Sequence, residues 1–553
     1  MVLADANLRL DANAVDYVLL GVYFALVLGI GYLARRQVST SLDFFLSGRS
    51  LPAWVTGLAF VSANLGAIEV MGMSANGAQY GMPTAHYFWI GAVPAMLFLG
   101  LVMMPFYYGS KVRSVPEFML RRFGKPAHLV NSISFGTAQI LIAGANLYLL
   151  ASVVNLLLGW PIWVSVIVAA LIVLTYTALG GLSAAIYNEV LQFFVIVAAL
   201  VPLTVVGLYK VGGWQGLVDK VSAGPGPENL HSWPGTELTG FGSAFLSVLG
   251  IVFGLGFVLS FGYWTTNFVE VQRAMASRSM SAAMRTPIIG AFPKMFVPFI
   301  VIIPGMIASV SVAELASKEK QAPYNDALLL LMRDLLPNGM LGIAIAGLLA
   351  SFMAGMAANL SSFNTVFTYD IWQSYVRRDR EDGYYLRMGR VVTAAATLLA
   401  IGTAFIAASY SNLMDYLQQL FSFFNAPLFA TFILGMFWKR MTPAAGWLGL
   451  VSGIVSAVTV FVLTRTGVLD LPGQGGAFVG AGAAFVVDVL VSIVVSLGTA
   501  PKPDSELRGL VYALTPKEDR RESRTGLDAG WYRNPALLAG IVLVITIALN
   551  LAF

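Results

Sequence analysis

The chain has 553 residues, of which 58% are apolar and only 11% are charged, whereas soluble domains average about 45–50% apolar and about 25% charged residues. A mean hydropathy of +0.76 cannot be buried in one water-soluble core, because single cores stop growing at roughly 250–300 residues. The composition excludes a soluble enzyme, a disordered scaffold and a nucleic-acid-binding protein. The absence of cysteine also excludes disulfides, thiolate metal sites and cysteine catalysis. We therefore expect a polytopic membrane protein.

Fourteen segments approach the length of about 20 apolar residues that a membrane-spanning helix needs. They are 15–34, 52–79, 84–107, 127–158, 161–179, 183–208, 243–267, 287–311, 340–372, 388–408, 413–437, 443–465, 476–498 and 534–553. Most of the 33 basic residues fall in alternate connecting loops, and basic loops face the cytoplasm. The sequence thus predicts a multi-pass cell-membrane protein with both termini outside.

The second segment carries polar residues at membrane depth. Asn64, Gly66 and Glu69 lie within six residues, which predicts a helix break whose freed carbonyls face a cavity. A charged residue at this depth costs roughly 2.5–3.5 kcal/mol and is a candidate functional group. The simpler interpretation is that Gly66 allows close helix packing and Glu69 only hydrogen-bonds between helices.

Two further charged residues lie within apolar segments. Glu189 is a second buried acid, either functional or an anchor near the cytoplasmic end of its helix. Lys294 lies about a third of the way into the eighth segment, where an ammonium needs a carboxylate, carbonyl or water partner. It is either a ligand or gate residue, or it snorkels to the interface.

Polar interruptions recur at regular places among the ten segments from the second to the eleventh. The seventh segment ends at Asn267, and the eleventh carries Asp415 and Gln418 before Pro427. Interruptions at the first, sixth and tenth places of this set are typical of an inverted-repeat transporter with a site at the membrane midplane.

Structural capping is the expected role of other acids near segment ends, namely Asp16, Asp370 and Asp488. A surface helix is expected within 312–339.

Several motifs occur in a characteristic order between residues 15 and 465. They are Asp43-Phe44-Phe45-Leu46-Ser47-Gly48-Arg49-Ser50-Leu51-Pro52-Ala53-Trp54, Val115-Pro116-Glu117-Phe118, Gly180-Gly181-Leu182-Ser183-Ala184, Gln272-Arg273-Ala274, Phe367-Thr368-Tyr369-Asp370-Ile371-Trp372 and Phe437-Trp438-Lys439-Arg440. Together they resemble the sodium:solute symporter family, most of all its sodium/glucose cotransporter-like branch. The resemblance implies an all-α, LeuT-type core of two inverted five-helix repeats that works by alternating access.

The resemblance also implies a division of the chain. Residues 1–51 would form an extra helix and the first cytoplasmic loop, 52–208 the first repeat, and 209–437 an outside loop and the second repeat. Residues 438–553 would supply three further helices, with a basic cytoplasmic linker at 499–531.

In that family a core sodium site combines two carbonyls at the first helix break with a small residue and two hydroxyls on the eighth core helix. By the resemblance, the carbonyls belong to Ser62 and Leu65, and Ser351 keeps the small position. The hydroxyl positions fall on Ala354 and Gly355, which offer no side-chain oxygen, whereas a hard cation needs several oxygen ligands. We expect a vestigial, empty sodium site.

A second sodium site of some members falls on Ala357, Ala358 and Glu189, and it too lacks hydroxyls. Glu69 stands where sugar-transporting relatives have Gln or His in contact with the solute. The Glu that relatives use on the second core helix falls on Phe88, with His86 close by. By the same resemblance, solute-contact, coupling or gating positions include Asn64, Asn267, Lys294 and Gln418.

These features predict a secondary transporter of a small polar solute, with a sugar as the first guess and a carboxylate or amine as competitors. H⁺ is the favoured coupling ion, with Glu69 as its carrier, and no cofactor, catalytic residue, nucleic acid or obligatory protein partner is expected beside the solute and the bilayer. The alternatives are ordinary Na⁺/sugar symport, with replacement ligands from Ser351, Ser361, Ser362 or Asn64, and an uncoupled facilitator. A solute sensor is disfavoured because 499–531 is too short for a signalling domain, and a membrane enzyme is disfavoured further.

Overall fold

The computed structural model describes residues 12–35, 47–109, 112, 114–233, 236–317, 322–410, 412–516 and 530–553. This part of the chain is built of helices, with one isolated backbone bridge between Leu51 and Ser277. In chain order the main helices are α1 (Ala14–Leu33), α2 (Ala53–Asn64), α3 (Ile68–Tyr80), α4 (Met82–Tyr108), α5 (Lys125–Leu158), α6 (Ile162–Val211), α7 (Ala244–Thr266), α8 (Phe268–Met275), α9 (Met280–Ser311), α10 (Met340–Val376), α11 (Asp382–Ala407), α12 (Leu413–Phe437), α13 (Pro443–Arg465), α14 (Gly475–Gly498) and α15 (Pro535–Ala552).

The number of membrane spans in the described residues is smaller than the sequence predicts. Twelve helices are long and apolar enough to cross a bilayer, and thirteen if the bent pair α2–α3 forms one span. The span predicted at 161–179 lies in the first part of α6, where Ile162–Thr175 counts as a shorter apolar helix among the described residues. A count of fourteen is therefore not confirmed.

Two helix breaks occupy corresponding places in the two halves of the chain. α2 and α3 meet at an angle of 58°, with Leu65 at the end of α2. α7 ends at Asn267, whose extended backbone starts α8 and whose side chain accepts a hydrogen bond from the Val269 amide at 3.0 Å. The expected third break is absent, because α12 continues through Pro427 as one helix.

The first break depends on a close contact between two backbones. A Cβ on Gly66 would lie 3.1 Å from the Cα of Gly355, and a Cβ on Gly355 would lie 2.9 Å from the Cα of Gly66. Glycine at both positions therefore lets the break pack directly on α10, whose side chains are mostly buried.

The acids near segment ends have different structural roles. Asp16 accepts hydrogen bonds at 2.7 Å from the Gly339 and Gly342 amides, which confirms its capping role at the start of α10. Asp370 instead binds His128 on α5 at 3.0 Å. Asp488 accepts a hydrogen bond from Thr431 on α12 at 2.6 Å. The capping prediction is wrong for these two residues, because both join neighbouring helices.

The segment 312–339 contains a helix, as expected, but its central turn is buried in the core and does not lie on the surface. Ala327–Leu335 is helical, and its five consecutive residues from Leu328 to Met332 are buried in the main core. Lys318 and Lys320 lie outside the described residues.

A prediction concerns the contact between α9 and α3. A Cβ on Gly305 would overlap the Ser74 carbonyl oxygen, and overpacking of this kind costs about 1–3 kcal/mol. We expect Gly305→Ala to lower the thermal unfolding temperature of the detergent-solubilised protein. Gly402→Ala is the control, because no atom lies within 4 Å of its added Cβ. Equal unfolding temperatures for the two variants would contradict the described packing of α9 on α3.

Candidate functional site: a polar cavity at the two helix breaks

A cavity opens where both helix breaks face α5, α9, α10 and α12. It encloses about 750 Å³ of space free of protein atoms, including the part open to solvent. Its polar lining includes Ser260, five amides and two charged groups: Asn64, Asn146, Asn267, Asn359, Gln418, Glu69 and Lys294. Its aromatic lining is Tyr87, Tyr263, Trp264 and Phe421. Apolar walls with a few convergent polar groups are typical of small-molecule sites.

An ion pair between α3 and α9 lies in this cavity. The Lys294 ammonium donates to Glu69 Oε1 at 2.6 Å and also to Asn64 Oδ1. It lies 4.9 Å from the centre of the Phe88 ring and 5.3 Å from that of Trp264, within the range of cation–π attraction. Because the Lys294 side chain is only 1% exposed, it does not snorkel to an interface.

A chain of hydrogen bonds leads from this pair out of the cavity. The Asn64 amide donates to the Tyr263 hydroxyl at 2.9 Å, and that hydroxyl donates to Glu270 Oε1 at 2.8 Å. Glu270 is fully buried and does not line the cavity. Tyr263 therefore lies between the cavity and a second acid.

Glu189 lies in neither of the two environments expected from the sequence, a functional site or an anchor at the end of its helix. Its carboxylate accepts hydrogen bonds from Arg273 at 2.6 and 3.3 Å, and both side chains are almost fully buried. This two-point pair between α6 and α8 is neither an interfacial anchor nor part of the cavity lining. Arg273 lies between the predicted segments 243–267 and 287–311, which places it in a connecting loop, so the sequence did not predict this ion pair.

His86 and Phe88 separate in space although they are close in sequence. The His86 ring lies 2.7 Å from the Ser232 carbonyl oxygen and packs on Trp233 at 3.9 Å between ring centres. His86 is thus buried against the segment between α6 and α7 and does not line the cavity, so the expectation that it belongs to the solute site is wrong. Phe88 instead faces the Lys294 ammonium.

Asn267 and Gln418 both line the cavity, as the sequence predicts. The Asn267 side chain is engaged in capping α8. The Gln418 amide nitrogen lies 3.3 Å from Met414 Sδ, a weak acceptor that a solute can replace.

The positions of the implied sodium site offer few free oxygens. The Ser351 hydroxyl donates to the Leu65 carbonyl at 2.6 Å. Ala354 supplies no side-chain oxygen, and the Gly66–Gly355 contact leaves no space for a hydroxyl-bearing side chain. Ala357 and Ala358 are likewise buried without a side-chain oxygen. The alanines and the glycine at these positions therefore supply no side-chain oxygen for a sodium ion.

Two buried oxygens beside these positions have no hydrogen-bond partner among the described residues. They are Ser62 Oγ and Asn146 Oδ1. Asn146 Oδ1 lies 3.1 Å from where a Cβ on either Gly66 or Gly355 would lie. The sequence analysis did not select Asn146, although an amide near the middle of the long apolar segment 127–158 could have indicated it.

Comparisons with known proteins agree with this fold. The sodium:solute symporter family model matches residues 44–453. The chain is 28% identical over 475 residues to a sodium/glucose cotransporter of Vibrio parahaemolyticus, covering 82% of this chain and 86% of that protein. It is also 28% identical over 560 residues to sodium/glucose cotransporter 1 of Oryctolagus cuniculus, covering 94% of this chain and 83% of that protein.

Among solved structures, a substrate-bound, outward-open Na⁺-coupled sialic acid symporter matches with a TM-score of 0.76 at 22% identity, covering 88% of this chain and 98% of that chain. This likeness confirms the all-helical LeuT-type fold. The matching family and relatives are transporters and not enzymes. Because the family model covers most of the chain, this protein belongs to the sodium:solute symporter family and is a membrane-embedded secondary transporter of a small solute.

Proposed function

We propose that the protein couples the movement of a small polar solute, with a sugar as the first candidate, to the movement of protons by alternating access. Glu69 both contacts the solute and accepts the proton. The observation that carries this proposal is the Glu69–Lys294 pair in the cavity at the first helix break. A solute that enters between Glu69 and Lys294 deprives each group of its charged partner, and this loss can change the protonation of Glu69.

The proton step follows from the cost of an unpaired charge in a closed cavity. While Lys294 is 2.6 Å away, the ammonium neutralises the Glu69 carboxylate. A solute hydroxyl placed between them replaces the ion pair with neutral hydrogen bonds. A buried carboxylate without a cation is costly and becomes neutral by taking up a proton. Solute binding and the protonation of Glu69 would then favour each other.

The rest of the lining suits a neutral solute with several hydroxyls. The amides of Asn359 and Gln418 supply donors and acceptors, while Tyr87, Trp264 and Phe421 supply flat apolar faces. This combination orients a sugar ring by hydrogen bonds on its edge and by packing on its face. A carboxylate that binds Lys294, or an amine that binds Glu69, is the competing solute class.

Ordinary Na⁺/solute symport is the second candidate, because the relatives are described as sodium/glucose cotransporters. The unpartnered Asn146 Oδ1 supports it, since this oxygen lies beside the first helix break, where the resemblance places the core sodium site. Of the replacement ligands expected from the sequence, Asn64 and Ser362 are already bonded to Lys294 and Gln272. An uncoupled facilitator is the third candidate and would equilibrate the solute without accumulating it.

For the placement in the cell, we propose a cell-membrane protein with both termini outside. The support is the concentration of basic residues in alternate loops. The division into repeats at 52–208 and 209–437 accords with the places of the breaks at Leu65 and Asn267.

The first prediction from this function concerns Glu69→Gln. The change removes the proton-accepting group but keeps a side chain that hydrogen-bonds to the solute. In proteoliposomes, we expect labelled D-galactose uptake driven by a pH gradient to be lost, while exchange of galactose across the membrane is retained. Glu117→Gln is the control, because Glu117 pairs with Arg121 outside the cavity. Uptake that requires Na⁺ at constant pH would contradict proton coupling.

The second prediction separates the two coupling ions in the absence of solute. A ligand that binds the folded state raises its unfolding temperature. We expect the purified protein to show the same unfolding temperature in NaCl and in KCl of equal ionic strength. A rise specific to Na⁺ that disappears in both Asn146→Ala and Ser351→Ala would instead support the sodium alternative.

A further inference from the structure

Glu270 is a buried carboxyl group behind the cavity that the transport scheme above does not use. It lies in the first turn of α8 and is fully buried. Its Oε1 accepts the Tyr263 hydroxyl at 2.8 Å. No described residue offers its Oε2 a hydrogen bond. Buried polar atoms of this kind are rare in native structures and call for a reason.

The two cations near Glu270 are bound to other acids. Arg273, one turn further along α8, directs Nε and Nη2 to Glu189 and Nη1 to the Val269 carbonyl. Lys294 is bound to Glu69 and Asn64. Both cations act on Glu270 through space, but neither makes a described hydrogen bond to it.

Within the described residues, the other elements packed around α8 bring no further cation that acts on Glu270. The titratable groups that act on Glu270 are Tyr263 on α7, Arg273 on α8, Glu189 on α6 and Lys294 on α9. Tyr107 on α4 directs its hydroxyl to the Thr265 carbonyl at 2.9 Å.

On α10, the groups that face α8 are the neutral hydroxyls of Ser362 and Thr365, which bond to Gln272. On α3, Glu69 connects to the cluster through Lys294.

The charges of this cluster balance only if one acid is neutral. It contains two cations, Lys294 and Arg273, and three carboxyl groups, two of which form the described ion pairs. In the described part of the chain, the third, Glu270, receives a hydrogen bond only from the neutral Tyr263 hydroxyl. An ionised carboxylate buried without a cation is far costlier than a protonated one.

We propose that Glu270 is a second proton-binding site of the transporter and holds a proton while both ion pairs are intact. This inference rests on the proposed proton coupling and adds the place where the proton resides before Glu69 receives it. Tyr263 separates this site from the cavity, since its hydroxyl touches both Asn64 and Glu270.

The proton transfer balances within the cluster. When a solute displaces Glu69 from Lys294, the O–H bond at Glu270 breaks and the proton passes, through water admitted beside Tyr263, to the Glu69 carboxylate. Glu69 becomes neutral and Glu270 becomes a carboxylate. The released Lys294 ammonium, which already acts on Glu270 through space, then balances the new charge.

Infrared spectroscopy of the purified full-length protein at neutral pH tests the protonation directly. A protonated carboxyl has a carbonyl stretching band distinct from that of a carboxylate. We expect Glu270→Gln to lose one such band and Glu117→Gln, the ion-paired surface control, to keep it. Glu270→Asp retains an acid at this site and should keep a protonated carboxyl band.

Transport in proteoliposomes tests the role of the proton. Glutamine resembles the protonated carboxyl in shape and charge, so Glu270→Gln should fold and exchange labelled D-galactose but lose accumulation driven by a pH gradient. Glu270→Asp should recover part of that accumulation. A Glu270→Gln variant that keeps the band, or that accumulates galactose like the parent, would overturn the inference. Absence of pH-driven accumulation in the parent would contradict the proposed function, and the infrared band would still decide the state of Glu270.

Discussion

The Lys294–Glu69 ion pair is the interaction on which the rest of the site depends. A lysine with 1% of its side chain exposed needs a carboxylate, carbonyl or water partner at membrane depth, and here the partner is the Glu69 carboxylate. Glu69 meets this need only because the chain breaks after Asn64 and starts α3 in a new direction. The pair, the break and Asn64, which binds both Lys294 and Tyr263, therefore form one connected unit in the cavity wall.

The same break determines the geometry at the position that the family resemblance assigns to a core sodium site. Gly66 approaches Gly355 so closely that a side chain at either position needs the backbones to separate. The position where the resemblance implies a hydroxyl is thus used for helix packing. The Ser351 hydroxyl is bound to the Leu65 carbonyl, and this hydrogen bond joins the end of α2 to α10. Packing and a protein hydrogen bond stabilise this junction.

Much of the fold could be predicted from the sequence because apolar length and helix breaks are local properties. Most predicted spans agree with the helices to within a few residues, and Asn267 ends α7 as expected. The side of a helix that faces the cavity depends on packing, which local patterns do not contain. His86 and Phe88 are two residues apart, yet His86 packs on Trp233, between α6 and α7, and Phe88 packs on Lys294. The third break was predicted from Pro427, but α12 accommodates this residue within a continuous helix.

Glu270 and Arg273 were missed for a related reason. Their polar neighbours make the segment after Asn267 look like a cytoplasmic loop, whereas α8 buries all eight of its residues. Once α8 is inside, its arginine must find an acid, and Glu189 on α6 supplies it. Among the described residues, that pairing leaves Glu270 without a hydrogen-bonded cation, in contact with Tyr263 at the cavity wall. Burial of this one short helix thus connects the Arg273–Glu189 ion pair to the Lys294–Glu69 pair in the cavity. The groups of both pairs and Glu270 form one electrostatic cluster because four of the five are buried and the Glu69 side chain is only 15% exposed.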